Sequence, residues 1–212
     1  MKLKVIKKNI WRLKRILYSR LGYNSKLVSP DRVFQEATLF PKALENKDNP
    51  EVLYVGVSWY TYHYYKKYLS KTNLVTLDIL PEQAVFGCKN HLVGGLDHPD
   101  LLQHKKFDLI FMIGVLGYGV NDFSLLKEVM VNVDKIMKAS GCCYLTIEVP
   151  SHSNDKVNLD VEGVTRFVES MGCLIYPVSE WMEMLGDHGK NRYFVMARSK
   201  ALLEIEVDKF SN

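Results

Sequence analysis

The chain has 212 residues, of which 47% are hydrophobic and 25% are charged. These values are close to those of globular proteins, so they exclude a wholly disordered chain, and the length suits one domain with a terminal arm. The formal net charge of +4 is too small to indicate nucleic-acid binding by itself.

Basic residues are concentrated at the N-terminus: residues 1–20 contain eight of the 28 basic side chains and none of the 24 acidic ones. Apolar side chains recur there at steps of three and four residues, which predicts an amphipathic helix over residues 2–21 that ends at Gly22. Such a helix suits an anionic membrane surface, where each basic residue contributes about 1 kcal/mol. The alternative is an ordinary helix packed on its own domain. Nucleic acid is a poorer explanation, because the rest of the chain carries no net positive charge.

The four cysteines show no C-x-x-C spacing, so the sequence indicates neither a disulfide framework nor a zinc site, and we predict no metal. No apolar run reaches the roughly 18 to 20 residues that span a bilayer, and the N-terminus has no apolar segment of signal-peptide length. We therefore expect a cytoplasmic protein in a reducing environment, either soluble or peripheral at the inner face of the membrane.

After the N-terminal helix, the triplet Ser29-Pro30-Asp31 is a helix-start signal that combines a capping hydroxyl, a proline and an acid. It predicts a second helix over residues 30–45. The polar segment 46–50 ends in proline and marks the entrance to the main domain. We divide the chain into an N-terminal arm (1–46), a main domain (47–200) and a tail (201–212) that we expect to fray.

Strand-like and helix-like segments alternate through the main domain. Strands are predicted at 52–56, 74–80, 91–93, 107–113, 142–149, 174–178 and 193–197. Helices are predicted at 59–69, 122–139 and 159–171. This alternation is typical of an α/β protein whose largely parallel sheet is covered by helices on both faces.

Four of these strands, at 52–56, 74–80, 107–113 and 142–149, match in order and spacing the first, second, fourth and fifth strands of class I S-adenosylmethionine-dependent methyltransferases. The most specific stretch, FDLIFMIGVLGYGVNDFSLLKEVMVNVDKIMKASGCCYLTIEVP, resembles that family's fourth strand, active-site loop, long helix and fifth strand. The resemblance implies a Rossmann-like, seven-stranded, mostly parallel sheet whose final strand is antiparallel. It also implies that S-adenosylmethionine and the substrate meet above the carboxyl ends of the strands.

Asp78 lies at the end of the second predicted strand, where a carboxylate can accept both hydroxyl protons of a ribose. The alternative is a helix cap or a solvated loop acid. The turn after the first strand departs from the family pattern, because Tyr54 replaces an acid and Gly56 is the one glycine of three that is present. Trp59 and Tyr60 must then point away from the methionine moiety or form part of its pocket.

The resemblance implies cofactor contacts by Gly56, Ser58, Trp59, Asp78, Ile79, Gly95, Leu96, Ile113 and Gly114. For residues 93–97 the alternative is a plain turn. The candidate catalytic residues are Tyr118, after the fourth strand, and His152, after the fifth. Their alternatives are a loop aromatic and a surface histidine. Seven ring side chains crowd residues 59–68, and they either pack on the domain or line a remodelled site.

Two functions are compatible with this pattern. The first is methyl transfer to an oxygen or nitrogen of a small molecule or saccharide, in a setting such as surface-glycan assembly that a peripheral location would suit. Methyl transfer needs alignment more than chemical machinery, so the absence of a catalytic motif does not oppose it. The second is a non-catalytic binding or scaffold module that has lost the cofactor. A nicotinamide-dependent enzyme fits the single glycine no better.

Overall fold

The computed structural model describes residues 2–22, 29–117, 119–150, 159–184 and 189–211. Helices α1 (Lys2–Arg20), α2 (Pro30–Phe34) and α3 (Phe40–Leu44) precede the sheet. A wide π-helical turn over Gln35–Leu39 joins α2 to α3, just before Pro41, which has no N–H to donate to the preceding turn. The prediction that Ser29 caps this segment with its hydroxyl is wrong, because the hydroxyl donates to the Asp31 carboxylate instead.

The sheet contains β1 (Glu51–Val55), β2 (Asn73–Asp78), β3 (His91–Val93), β4 (Phe107–Leu116), β5 (Met137–Pro150), β6 (Leu174–Pro177), β7 (Met182–Glu183) and β8 (Gly189–Ala197). Its order is β3-β2-β1-β4-β5-β8-β6, and the short β7 pairs with β8. The first five strands of this order are parallel, whereas β8 runs antiparallel to β5 and β6. The predicted mixed α/β sheet with an antiparallel final strand is confirmed, and β7 is an addition to it.

Four further helices complete the fold: α4 (Tyr62–Lys67), α5 (Phe123–Ile136), α6 (Val161–Ser170) and α7 (Lys200–Ser211). The Asp122 and Asp160 carboxylates cap α5 and α6 by accepting from amides of the first turn. No helix in the described part of the chain is long and apolar enough to cross a membrane.

Both faces of the sheet are buried, which explains the continuous apolar runs of its central strands. Leu53 of β1 and Ile110 of β4 belong to a cluster on one face that includes the apolar sides of α5 and α6. Tyr54 and Phe111 point to the opposite face, where Phe40 of α3 and the rings of α4 cover them.

The boundary between α5 and β5 lies earlier in the chain than predicted. The helix expected over residues 122–139 ends at Ile136, and β5 begins at Met137 rather than at Cys142. Between the pairs Phe107–Met137 and Leu109–Cys142, β5 has three more residues than β4, so the strand bulges there. Gly141 permits the bulge, because a Cβ at this position would lie 2.7 Å from the Phe107 carbonyl oxygen.

The C-terminal residues do not form the frayed tail that we expected. They form α7, whose Glu206 is buried against the sheet and accepts a hydrogen bond from the Tyr144 hydroxyl of β5 at 2.5 Å. Lys209 and Lys47 lie 2.9 and 3.6 Å from the same carboxylate. Burial raises the pKa of the Tyr144 phenol well above its usual value, so the phenol stays a donor to Glu206.

Replacing Tyr144 with Phe should therefore lower the free energy of unfolding by about 1.5–3 kcal/mol, because the buried Glu206 carboxylate loses a donor. Urea denaturation measures the change. The exposed Tyr176 offers a matched control, since Tyr176→Phe should leave the midpoint unchanged. Equal midpoints for Tyr144→Phe and the parent protein would contradict a stabilising bond between α7 and the sheet.

Candidate functional site

The strand order reverses around β1, which has β2 on one side and β4 on the other. In open α/β sheets, ligands bind in the crevice outside the carboxyl ends of the strands at such a switch point. The loops that follow β1, β2, β3 and β4 therefore define the candidate site, and the carboxyl ends of these strands form its floor.

Two glycines leave space at this crevice. Gly56, directly after β1, has φ +80°, and its N–H donates to the Leu77 carbonyl at 2.9 Å. Apart from the two residues next to it in the chain, only Val115 and Ile113 among the described residues come within 4 Å of a Cβ built on Gly56, and their nearest atoms lie 3.5 and 3.8 Å away. Gly114, near the end of β4, has φ +69° and, its two chain neighbours aside, no described atom within that range. The floor between β1 and β4 is therefore open enough for backbone to approach a ligand closely.

Asp78 stands at the tip of the neighbouring strand. One carboxylate oxygen accepts from the Val57 amide at 2.8 Å, and the other accepts from the Leu80 amide at 2.8 Å. A carboxylate accepts about four hydrogen bonds, so two acceptor positions remain for a ligand. Gly56 and Asp78 thus meet as predicted, and Asp78 also holds the loops after β1 and β2 together.

The loops after β2 and β3 form one side of the crevice. The Ile79 side chain is 60% exposed and lies 3.5 Å from the position of a Gly95 Cβ, and the Asp97 carboxylate folds over the same glycine. Leu96 differs, because its side chain is buried in the core and its carbonyl accepts from the Asn132 amide at 2.8 Å. An apolar side chain beside an acceptor carboxylate suits a flat heterocycle with an amino group.

The rings after β1 lie to the side of the glycines. Tyr60 is 41% exposed and sits 4.8 Å from the Arg32 guanidinium, while Trp59 packs edge-on against it at 6.0 Å. Neither ring comes within 4 Å of a Cβ built on Gly56 or Gly114. The Ser58 backbone is engaged by Thr61, whose hydroxyl lies 3.0 Å from both its N–H and its carbonyl.

Most of the ring-rich segment packs on the domain. Tyr62, His63, Tyr64 and Tyr65 are all buried, and α3 and the N-terminal helices cover them. Tyr54, which stands where the family has an acid, points into the same cluster and away from the crevice. Burial raises the pKa of Tyr54 well above its usual value, so this side chain is a neutral core residue.

Two charged residues near the crevice were not found by sequence reasoning. Arg32 of α2 is 5% exposed, and its guanidinium donates to the Tyr60 carbonyl at 2.9 Å and to the Tyr64 hydroxyl at 3.1 Å. No described carboxylate forms an ion pair with it. Glu148 is buried near the carboxyl end of β5 and contacts the loop after β4 at Gly117. Neither residue belongs to a recognisable motif.

The two candidate catalytic residues, Tyr118 and His152, lie outside the described residues. After β4, the Gly119 and Val120 amides both donate to the Val115 carbonyl at 3.0 Å. No group of three potential metal ligands occurs within the described ranges.

No protein-family model matches the chain, and no curated protein matches its sequence. Solved structures do match its fold. N-methyltransferase NodS from Bradyrhizobium japonicum WM9, in complex with S-adenosylhomocysteine, aligns with a TM-score of 0.58 at 13% identity and covers 84% of this chain and 96% of its own. A methyltransferase from Bacteroides fragilis with the same ligand aligns with a TM-score of 0.55 at 14% identity, over 75% of this chain and 76% of its own.

A third match is an O-methyltransferase family protein from Burkholderia thailandensis, with a TM-score of 0.53, 13% identity and coverage of 85% of this chain and 59% of its own. At such low identities, these structural alignments show the fold alone. The chain has the fold of the class I S-adenosylmethionine-dependent methyltransferases, and the resemblance that the sequence indicated is confirmed at this level.

Alanine at either crevice glycine should lower the free energy of unfolding by about 1–2 kcal/mol, because both glycines have positive φ. Chemical denaturation of Gly56→Ala and Gly114→Ala measures the cost. Gly119→Ala is the matched control in the same loop region, since Gly119 lacks a positive φ and its nearest described neighbour for a Cβ is 4.0 Å away. A cost in Gly119→Ala as large as in the other two would refute strain as the cause.

His91 is the first residue of β3, the strand that pairs with β2 and lies next to Asp78. Its Nδ1 is 2.9 Å from the Thr76 hydroxyl, and its Nε2 is buried without a hydrogen-bond partner among the described residues. Burial lowers the pKa of His91, and the nearby Asp78 opposes that shift only in part.

As the pH falls through about 6.5, His91 takes up a proton in the unfolded chain but not yet in the folded one, because its pKa is lower in the folded protein. Protonation therefore favours the unfolded chain, and the free energy of unfolding decreases. Comparing urea midpoints at pH 7.5 and 5.5 tests this, and His91→Asn should show a smaller decrease than the parent protein. An identical decrease in both proteins would show that other groups account for the pH dependence.

Proposed function

We propose that the protein transfers a methyl group from S-adenosylmethionine to an oxygen or nitrogen of a small molecule or saccharide. The observation that carries this proposal is the open floor at Gly56 and Gly114 with the Asp78 carboxylate at the adjacent strand tip. A fold shared with known methyltransferases supports it as an analogy, because fold alone does not specify activity.

The positions of the predicted cofactor residues around the crevice support the following roles. Asp78, with two acceptor positions left, would hold the ribose hydroxyls. Ile79, Gly95 and Asp97 would hold the adenine, and Leu96 would contribute through its backbone. Gly56, Ser58, Trp59, Ile113 and Gly114 would surround the methionine moiety.

We propose a further contact to the cofactor, from Arg32, that the family pattern did not indicate. It donates to the carbonyl of Tyr60, in the loop that follows β1, and its buried cation has no described carboxylate partner. A buried guanidinium is costly unless an acceptor compensates its charge. The cofactor's carboxylate would be such an acceptor, on the side of the crevice where the acid replaced by Tyr54 is missing.

Bound S-adenosylmethionine supplies an electrophilic methyl group on a positively charged sulfur. The protein's task is then to orient the acceptor atom, exclude water and take up the acceptor's proton. Tyr118 and His152 remain the predicted residues for that task. Glu148, a buried carboxylate beside the loop after β4, is a further candidate for holding the proton.

We propose in addition a peripheral location at the inner face of the membrane and a role in surface-glycan assembly. The support is the cationic α1 and its exposed aliphatic side chains. The competing function is a binding or scaffold module that has lost the cofactor. It is favoured by the replacement of the family's acid and of two of its glycines.

Isothermal titration with S-adenosylhomocysteine separates the two functions. The parent protein should bind, and Asp78→Ala should raise the dissociation constant by about 10- to 100-fold, because charged hydrogen bonds to the ribose are lost. Asp48→Ala removes the same charge from an exposed turn before β1 and should bind as the parent does.

Because Asp78 also joins two loops, the melting temperature of each variant must be recorded, and a folded Asp78→Ala protein is required for the comparison. No detectable heat from the parent protein at millimolar ligand would reject methyl transfer and favour the binding module.

A further inference from the structure

From Ile10 onward, the apolar side of α1 faces away from the rest of the domain. Four aliphatic side chains spaced by three or four residues are between 54% and 66% exposed: Ile10, Leu13, Leu17 and Leu21. Trp11 and Tyr18 flank this stripe, at 53% and 37% exposure. An amphipathic helix on a soluble domain ordinarily buries its apolar stripe, so this helix has the opposite orientation.

Polar side chains in the second half of α1 contact the domain. The Arg20 guanidinium donates to the Tyr62 hydroxyl and lies 4.3 Å from the Tyr62 ring centre. Arg12 donates to the Glu82 carbonyl at 3.4 Å, and Ser19 is buried. The helix therefore packs on its own domain, as the alternative expected, but it does so through polar side chains and leaves its aliphatic stripe exposed.

An occupant of this stripe must accept both aliphatic side chains and positive charge. Residues 2–20 contain eight basic residues and no acid, so a second copy of α1 laid against the first would bring like charges together. Nucleic acid would match the charge but would leave the aliphatic stripe in water. Anionic lipid matches both, because acyl chains take up the stripe while headgroups attract lysine and arginine.

Positive charge continues from α1 onto the domain. A cavity of about 430 Å³ at the C-terminal end of the helix is lined by Arg20, Lys66 and Lys89 together with Tyr62 and Tyr65. An anionic surface approaching α1 would meet these side chains as well, which extends the complementary charge beyond the helix itself.

The position of α1 relates this surface to the candidate site. Arg15 lies 5.5 Å from the Trp59 ring centre, in the loop after β1, and Arg12 and Arg20 reach the segment after β2. Both segments leave the carboxyl edge of the sheet, where Gly56 and Asp78 lie. A bilayer that covers the apolar stripe would therefore lie beside the opening of the crevice.

We propose that α1 lies in the interface of an anionic bilayer and sets the crevice against it, so that the methyl acceptor is carried by a membrane-anchored molecule. The second half of this inference rests on the proposed methyl transfer, whereas the first half stands without it. An acceptor fixed at the membrane surface is concentrated next to an enzyme fixed at the same surface.

Flotation of the full chain with vesicles tests the first half. The chain should float with vesicles of phosphatidylcholine containing 30% phosphatidylglycerol, and about tenfold less with phosphatidylcholine alone. The double substitution Leu13→Gln with Leu17→Gln should reduce binding at least tenfold, while Val131→Gln with Ile205→Gln, at exposed apolar positions of α5 and α7, should not. The emission of Trp11 should shift to shorter wavelength on binding, and a Trp11→Phe variant should lose that shift.

Absence of flotation with anionic vesicles would overturn the membrane assignment. A dimer in light scattering that the Leu13→Gln and Leu17→Gln protein fails to form would overturn it in favour of a second copy. Flotation that is equal for the two double variants would show that the stripe is not the membrane contact.

Radiolabelled S-adenosylmethionine incubated with the protein and membranes from its native cells tests the second half. Label should enter the lipid-extractable fraction, and the Leu13→Gln and Leu17→Gln protein should lose that transfer while binding S-adenosylhomocysteine with unchanged affinity. Label confined to water-soluble molecules, or absent although the ligand binds, would overturn a membrane-anchored acceptor. Failure of the parent protein to bind the ligand would instead reject the methyltransferase function and leave the vesicle result standing.

Discussion

The Asp78 carboxylate is the constraint on which the candidate site depends. It accepts from the Val57 amide on one side and from the Leu80 amide on the other, so a single side chain fixes the loops that leave two adjacent parallel strands. Those loops in turn place Gly56 at the crevice floor and Ile79 at its edge. From the sequence, Asp78 was either a loop acid or a residue that binds ribose. In the structure it accepts from two loop amides and keeps acceptor positions for a ligand, so the two roles do not exclude each other. A carboxylate that two backbone amides already hold in place needs little further ordering to accept hydrogen bonds from a ligand.

The central architecture was predictable because it rests on patterns that are local in the sequence. β1, β2 and β4 are buried on both faces, and their unbroken apolar runs indicate that directly. The start of β5 was missed because the bulge at Gly141 depends on the approach of the Phe107 carbonyl, which lies far away in the sequence. α7 was missed because its periodicity is weak and its buried Glu206 reads as a surface residue until Tyr144, Lys47 and Lys209 are placed around it.

The positions of Gly56 and Asp78 were predictable, because a glycine or an acid directly at the end of a predicted strand can be recognised from the sequence. The candidate site was less predictable where burial decides. Leu96 lies in the predicted loop, but its side chain contributes to the core. Arg32 is buried where it donates to the Tyr60 carbonyl and the Tyr64 hydroxyl, about 30 residues later in the chain. No pattern of spacing in the sequence predicts such a contact. The direction of the apolar stripe of α1 likewise follows from tertiary contacts, since periodicity identifies a face but not what covers it.

The position of α7 has a consequence for synthesis on the ribosome. One face of the sheet, which carries Tyr144, is covered in part by Phe210, whose ring lies 6.0 Å from that of Tyr144 and 6.2 Å from that of Phe34. Strands β1 to β8 all emerge before this helix does, so the part of the face around Tyr144 that α7 covers stays exposed to water until α7 is synthesised. Uncovered apolar surface makes a nascent chain prone to aggregation, so the Tyr144 side of the sheet is fully protected only after α7 has been synthesised.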